Sequence, residues 1–172
     1  ALAAGGINAS FGNIDIEDNW EYHFADTFFE GYGIGNPKII EIMAKESPAI
    51  VEEIDQWGAN FERTENRLID QRFFGAHTFR RTCYSGDHTG KTILKVLLDK
   101  AKQLNIPIFD SQYVTELLIN DDGVCFGALS FNIYTGERTI HYTDALIICT
   151  GGHTRIWKKS SSRKQENTGD GF

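Results

Sequence analysis

Residues able to do chemistry by type and spacing fall in four places. Thr150-Gly151-Gly152 follows directly on the apolar run Ala145-Leu146-Ile147-Ile148-Cys149. Two glycines after such a run let the backbone turn sharply and pass close to something bulky. In open α/β sheets, ligands sit beyond the carboxyl ends of the strands. The pattern therefore points to bare backbone delivered to a nucleotide or cofactor, with an ordinary strand and turn as the competing reading. Gly5-Gly6 near the start permits the same close approach, or a flexible loop. Arg63, Arg67, Arg72, Arg80 and Arg81 crowd around Phe73-Phe74-Gly75. Clustered guanidiniums can clamp a carboxylate or phosphate. Composition favours the plainer alternative, a solvated face paired with Glu62, Glu65 and Asp70. His77 and His88 lie in the same segment, where a lone histidine is more often a structural hydrogen-bonder than a catalyst. Thr89-Gly90-Lys91-Thr92 contains a Gly-Lys-Thr, but it is not a phosphate-binding loop: residue 85 is Ser and no strand precedes it.

Elements must position these residues. Asp18 or Asn19 caps a helix over Trp20–Glu30, with Trp20, Phe24, Thr27 and Phe28 on one face. Asn36 caps a second, with Pro37 at its first position and Ile39, Ile40, Ile42 and Met43 as its stripe. Pro48 is expected to interrupt it, giving a third helix from Ala49 to Trp57 that Gly58 ends. Asn60–Asp87 reads as irregular. Gly90–Leu104 repeats Ile93, Leu94, Leu97, Leu98, Ala101 and Leu104 at helical spacing, with lysines opposite. Ile106–Phe109 reads as a short strand. Tyr113–Ile119, Val124–Tyr134 and Arg138–Tyr142 form a meander whose first turn is Asn120-Asp121-Asp122-Gly123. Ala145–Cys149 then reads as a buried strand of a parallel sheet.

The bulk numbers exclude several classes. The chain has 172 residues, 41% of them hydrophobic, enough for one domain with a core. A net charge of -7 argues against nucleic-acid binding, which calls for a basic face. No apolar run reaches the length of a membrane span. Cys83, Cys125 and Cys149 are widely spaced, which points to a reducing compartment and to no metal site in this chain. The chain opens at Ala1 inside a glycine-rich stretch and stops at Phe172 inside turn chemistry, so an internal fragment is expected.

Together, Ala3-Ala4-Gly5-Gly6-Ile7-Asn8-Ala9, Arg63-Thr64, Arg72-Phe73-Phe74-Gly75, Arg81-Thr82, Asp87-His88-Thr89-Gly90, Thr150-Gly151-Gly152 and Thr168-Gly169-Asp170-Gly171 resemble a known family. They stand in the order found in flavoprotein subunits of succinate dehydrogenase and fumarate reductase. L-aspartate oxidase shares most of them. The resemblance implies an α/β fold: part of an FAD-binding, Rossmann-like domain over residues 1–172, with a small antiparallel meander insertion and a helical N-terminal segment. It implies FAD as cofactor, a dicarboxylate (succinate or fumarate) as substrate and, as partner, an iron–sulfur subunit. It also implies a cytoplasmic place, or one on the cytoplasmic face of a membrane through partner subunits. By resemblance, Ala3, Ala4, Gly5 and Gly6 line the flavin with backbone. Thr150, Gly151 and Gly152 pass beside the dinucleotide, Asp170 contacts it, and Val114 meets the adenine. Ala4 stands where the family usually has Gln. The resemblance places the phosphate loop and the FAD-linking histidine before Ala1, and the substrate-binding residues after Phe172, so no catalytic residue is assigned to this chain. The alternatives are an L-aspartate oxidase, a soluble fumarate reductase, or a non-catalytic flavin- or nucleotide-binding module.

Overall fold

The structure is a computed structural model that describes residues 3–160 and 167–169. It is mixed helix and strand, with two small antiparallel sheets. The chain forms two compact units, Ala1–Pro107 and Ile108–Phe172.

The first unit carries the core. Its sheet has the order β1 (Ile7–Asn8), β3 (Thr82–Cys83), β2 (Gln71–Arg72), with Ile7 and Gln71 both opposite Cys83. The unit also holds three helices. Helix α1 (Trp20–Glu30) is capped by Asn19, whose side-chain oxygen accepts from the N–H of Glu21 and of Tyr22. Trp20, Phe24, Thr27 and Phe28 are only half-buried; the fully buried residue of α1 is His23. Helix α2 (Pro37–Ile54) starts at the expected Asn36 cap but does not break at Pro48. A proline inside a helix leaves the carbonyl four residues earlier without its N–H partner. Here that carbonyl belongs to Ala44, and the Ser47 hydroxyl donates to it at 3.2 Å. The helix runs on and ends in one π turn, Asp55–Ala59, where Gly58 and Asn60 take positive φ. Helix α3 (Thr89–Gln103) matches its periodic stretch within a residue.

Ala9, Val51, Ile54, Ala59, Phe61, Ile69, Cys83 and Val96 make one buried cluster. The faces expected from α2 and α3 contribute less than their sequences suggest. Ile39 and Leu104 are more than half exposed, and Ile42, Leu94 and Leu97 nearly so. Only Val51 and Ile54 of α2 reach the cluster, and α3 turns Val96 toward it with Ile93 alongside.

The second unit is the meander β4 (Gln112–Ile119), β5 (Cys125–Asn132) and β6 (Arg138–Tyr142), in that spatial order. Irregularities in the β4–β5 register fall at Val114/Glu116 and Leu118/Ile119. The Asn120 side chain accepts from the N–H of Asp122 and of Val124, and Gly123 takes the positive φ the turn requires. Two expected strands are absent. Ile106–Phe109 and Ala145–Cys149 join no ladder among the described residues. Ile147 is 86% exposed, so the run read as a buried strand is neither paired nor buried here. A parallel strand exists only through a neighbour that takes its N–H and C=O groups, and the strands β1–β6 form two sheets without it.

Candidate functional site

In the first unit, the chemistry-bearing feature is the backbone from Ala3 to Gly6. It is pinned at every residue. Ala3 O accepts from the N–H of Gly90 at 2.8 Å, where a Cβ on Gly90 would lie 2.8 Å from that of Ala3. The α3 terminus can come this close only because residue 90 is glycine. Gly5 packs edge-on to Phe74, whose ring atoms would lie 2.6 Å from an added Cβ. Gly6 has φ +132 and sits so tightly on β3 that an added Cβ would overlap the Cys83 carbonyl oxygen and Thr82 Cγ2.

Arg72, at the end of β2, makes the central attachment. One terminal nitrogen, Nη2, donates to Ala4 O and to Gly5 O, at 2.9 Å each. The guanidinium lies 4.1 Å over the Tyr84 ring. The Tyr84 hydroxyl in turn donates to Asp70 at 2.6 Å, and that bond raises its pKa above the ordinary phenol value. All peptide bonds are trans, so each C=O turned toward Arg72 turns the following N–H away from it. Those are the N–H groups of Gly5 and Gly6. Among the described residues neither meets an acceptor, and Gly6 is exposed. Two adjacent backbone donors on a rigid, side-chain-free surface suit a flat ligand with an electronegative edge. FAD, with its isoalloxazine ring, fits that description.

Arg63, Arg80 and Arg81 are tied to carboxylates of the unit itself. Arg63 pairs with Asp55 and Arg80 with Asp15. Arg81 is fully buried, 2.8 Å from Asp18 and 3.0 Å from Asp26. The expected partners Glu62, Glu65 and Asp70 are not the ones used: Arg63 takes Asp55 eight residues back, Arg80 and Arg81 take acids more than fifty residues away, and Arg81 lies inside the unit and away from any solvated face. Burial raises the Asp18 pKa despite its arginine. Burial, then the Arg81 charge, pushes His23 down to about 4. His77 is also lowered by burial, and its Nε2 accepts from the Asn8 amide at 3.1 Å. Asn8 is oriented for this by the Thr82 hydroxyl at 2.7 Å. His88 is exposed against Asp87. His77 thus hydrogen-bonds inside the unit and His88 meets its exposed neighbour. Burial pushes the Cys83 thiol up to about 12, so it is inert. No group of three or more potential metal ligands clusters among the described residues.

In the second unit, Thr150-Gly151-Gly152 meets the segment around Asn167. The Asn167 side-chain oxygen accepts from Gly152 N at 3.0 Å, and Gly169 N donates to Gly152 O at 3.3 Å. Two motifs separated by fifteen residues are thus brought side by side. Gly151 has φ +82 and is exposed. Asp170 lies outside the described residues. Val114 sits on β4, 55% exposed, opposite Ser130. Arg72 is the residue whose role the sequence hid. It sat within a cluster of charges, and only the fold separates the arginine that holds backbone from those that hold carboxylates.

Comparison with known proteins follows the same lines. The whole chain, residues 1–172, matches the family described as FAD binding domain. It is 36% identical over 171 residues to a fumarate reductase (CoM/CoB) subunit of Methanothermobacter marburgensis, covering 99% of this chain and 31% of that protein. It is 33% identical to the succinate dehydrogenase flavoprotein subunit of Rickettsia conorii, covering 98% of this chain and 29% of that one. Among solved structures, Mycobacterium smegmatis Sdh1 in complex with UQ1 superposes with a TM-score of 0.85 at 35% identity, over 99% of this chain and 30% of that one. The chain thus spans just under a third of the length of these relatives.

Proposed function

Since the chain belongs to the FAD binding domain family, we propose that it is the cofactor-holding part of a succinate dehydrogenase or fumarate reductase flavoprotein, which interconverts succinate and fumarate. The observation that carries this reading is the Ala3–Gly6 backbone, pinned at four residues and presenting the Gly5 and Gly6 N–H groups. It stands where the family resemblance puts the flavin.

The reaction takes a hydride from one methylene carbon of succinate and a proton from the other, leaving the double bond of fumarate. FAD, when bound, supplies the hydride acceptor, and the electrons leave through an iron–sulfur partner. The share of this chain is binding. Ala3, Ala4, Gly5 and Gly6 hold the ring system by backbone. Thr150, Gly151 and Gly152, with Asp170, hold the dinucleotide, and Val114 takes the adenine. Both units then belong to one Rossmann-like FAD domain, in which Ala145–Cys149 gains the neighbouring strand it lacks among the described residues. No helix among those residues is long and apolar enough to cross a membrane; attachment to one would run through partner subunits.

The test is spectroscopic. The purified full-length protein, reconstituted with FAD, should show flavin absorbance that bleaches on adding succinate. No flavin absorbance after reconstitution overturns the reading. The 36% identity to a CoM/CoB fumarate reductase supports a second reading, reduction of fumarate driven by that donor pair. Bleaching by those donors but not by succinate selects it.

A further inference from the structure

We propose that Arg72 is a positioning residue for the flavin: it sets the peptide planes of Ala4–Gly5 and Gly5–Gly6 so that their N–H groups face the cofactor. This rests on the reading that Ala3–Gly6 lines the flavin. A single guanidinium nitrogen takes both carbonyls at 2.9 Å and approaches a third, Gly86 O, at 3.5 Å. Rotation of either peptide plane would break one of those bonds, so the direction of both N–H groups is fixed by one side chain.

Arg72 is itself held. Its flat face lies 4.1 Å over Tyr84, and Tyr84 is tied to Asp70 at 2.6 Å. Asp70 also accepts from the N–H of Gln71 at 2.9 Å, inside β2. A lysine could carry the charge but could not stack a planar fork on the ring while reaching two carbonyls. No ion pair involves Arg72 among the described residues, in contrast to Arg63, Arg80 and Arg81. Its positive charge therefore has no ion-pair partner among the described residues and stands beside the segment. Both effects act in one direction. Two N–H donors and a nearby cation favour the more electron-rich, reduced flavin over the oxidised form.

A purely structural arginine would change folding and leave the redox balance of bound flavin alone. The discriminating measurement is the flavin midpoint potential of the full-length, FAD-loaded protein, with its visible spectrum. Arg72→Met should disfavour the reduced form at least tenfold, about 30 mV downward for a two-electron couple. Arg72→Lys should recover part of that shift. Tyr84→Phe, which cuts the tie to Asp70 but keeps the ring, should shift the potential the same way by less. Ala4→Asp tests the lining itself, because a carboxylate beside the flavin also lowers the potential. A shift in Ala4→Asp with wild-type potentials in the Arg72 and Tyr84 variants overturns the role of Arg72 and leaves the lining standing. No shift in Ala4→Asp overturns the lining and this inference with it. If Arg72→Met does not fold, Arg72→Lys and Tyr84→Phe decide: wild-type potentials in both overturn the proposal.

Discussion

Two glycine-rich segments were expected to offer backbone to one cofactor, and they are built in opposite ways. At Ala3–Gly6 the protein itself fills the space a side chain would need: Gly5 faces Phe74, Gly6 lies on β3, and Gly90 lies on Ala3. At Thr150–Gly152, among the described residues, a side chain would meet another side chain and no backbone. A Cβ on Gly151 would meet only the tip of Asn167, at 3.3 Å. The same pair of residues thus answers two different needs. In the first segment glycine is required by the fold. In the second, glycine is favoured by its own backbone angle, at Gly151.

Substitution separates the two. Gly6→Ala should be the most damaging single change, since the added methyl meets backbone and the φ of +132 is one that side chains rarely adopt. A loss above about 4 kcal/mol is expected, at the severe end for point mutants. A melting temperature near wild type would show that the close approach to β3 is not rigid.

Arg81→Met probes the same unit from inside. It leaves Asp18 buried without its ion partner and removes one from Asp26. Breaking a buried pair on one side costs about 3–5 kcal/mol. Denaturant unfolding checks this, and Asp18→Asn in the Arg81→Met background should restore part of the loss. No restoration would mean that packing, rather than the stranded charge, sets the penalty.

His23 gives that unit a pH signature. Its folded value is depressed to about 4, below the ordinary 6.5. Between those values the unfolded chain takes up a proton that the folded chain refuses. Its contribution is therefore fully present above about pH 6.5 and is lost as pH falls toward 4, by up to about 1.4 kcal/mol per pH unit. His77, lowered by burial as well, acts with the same sign. His23→Gln should flatten the stability profile across this window. An unchanged slope would assign the acid sensitivity to other groups.

The second segment should respond differently. Gly151→Val places a β-branched residue at φ +82, a strain of about 1–3 kcal/mol. The position is exposed and carries no core packing, so the apo-protein should keep most of its stability. FAD affinity should fall further, tenfold for each 1.4 kcal/mol of lost contact. Unchanged affinity with a lowered melting temperature would make Gly151 an ordinary turn residue.

What could be read in the sequence divides between local and long-range signals. Helix α1 and the meander were legible because their signals are local: an Asn cap, alternating β-formers, an Asn-Asp-Asp-Gly turn. Strands β1, β2 and β3 were not, because two-residue strands carry no period and exist only through pairing, for β1 with a β3 that lies far along the chain. Pro48 misled because its remedy, the Ser47 hydroxyl on Ala44 O, is a side-chain contact that no pattern announces. Ala145–Cys149 misled in the other direction. Its apolar run speaks for a strand, but a strand also needs a partner, and sequence cannot say which chain segment supplies it. At the candidate site, the glycine pairs stand out in the sequence and Arg72 does not, since five arginines in one stretch look alike until their partners are known.

The smallest expected effect tests whether the second unit is as local as this suggests. Asn120 accepts from Asp122 N at 3.1 Å and Val124 N at 2.9 Å, and the Gly123 N–H closes on Asn120 O at 2.9 Å. Asn120→Ala removes the side-chain acceptor from an exposed turn, where water can replace it, so about 1 kcal/mol is expected. The turn sets the register of β4 on β5, including Ile119 opposite Cys125. Amide exchange in Cys125–Asn132 should therefore quicken, while exchange in the Ile7–Asn8 and Thr82–Cys83 pair stays at the wild-type rate. If the first sheet quickens equally, the two units unfold as one cooperative body, and the division between a core-built and a turn-built half fails.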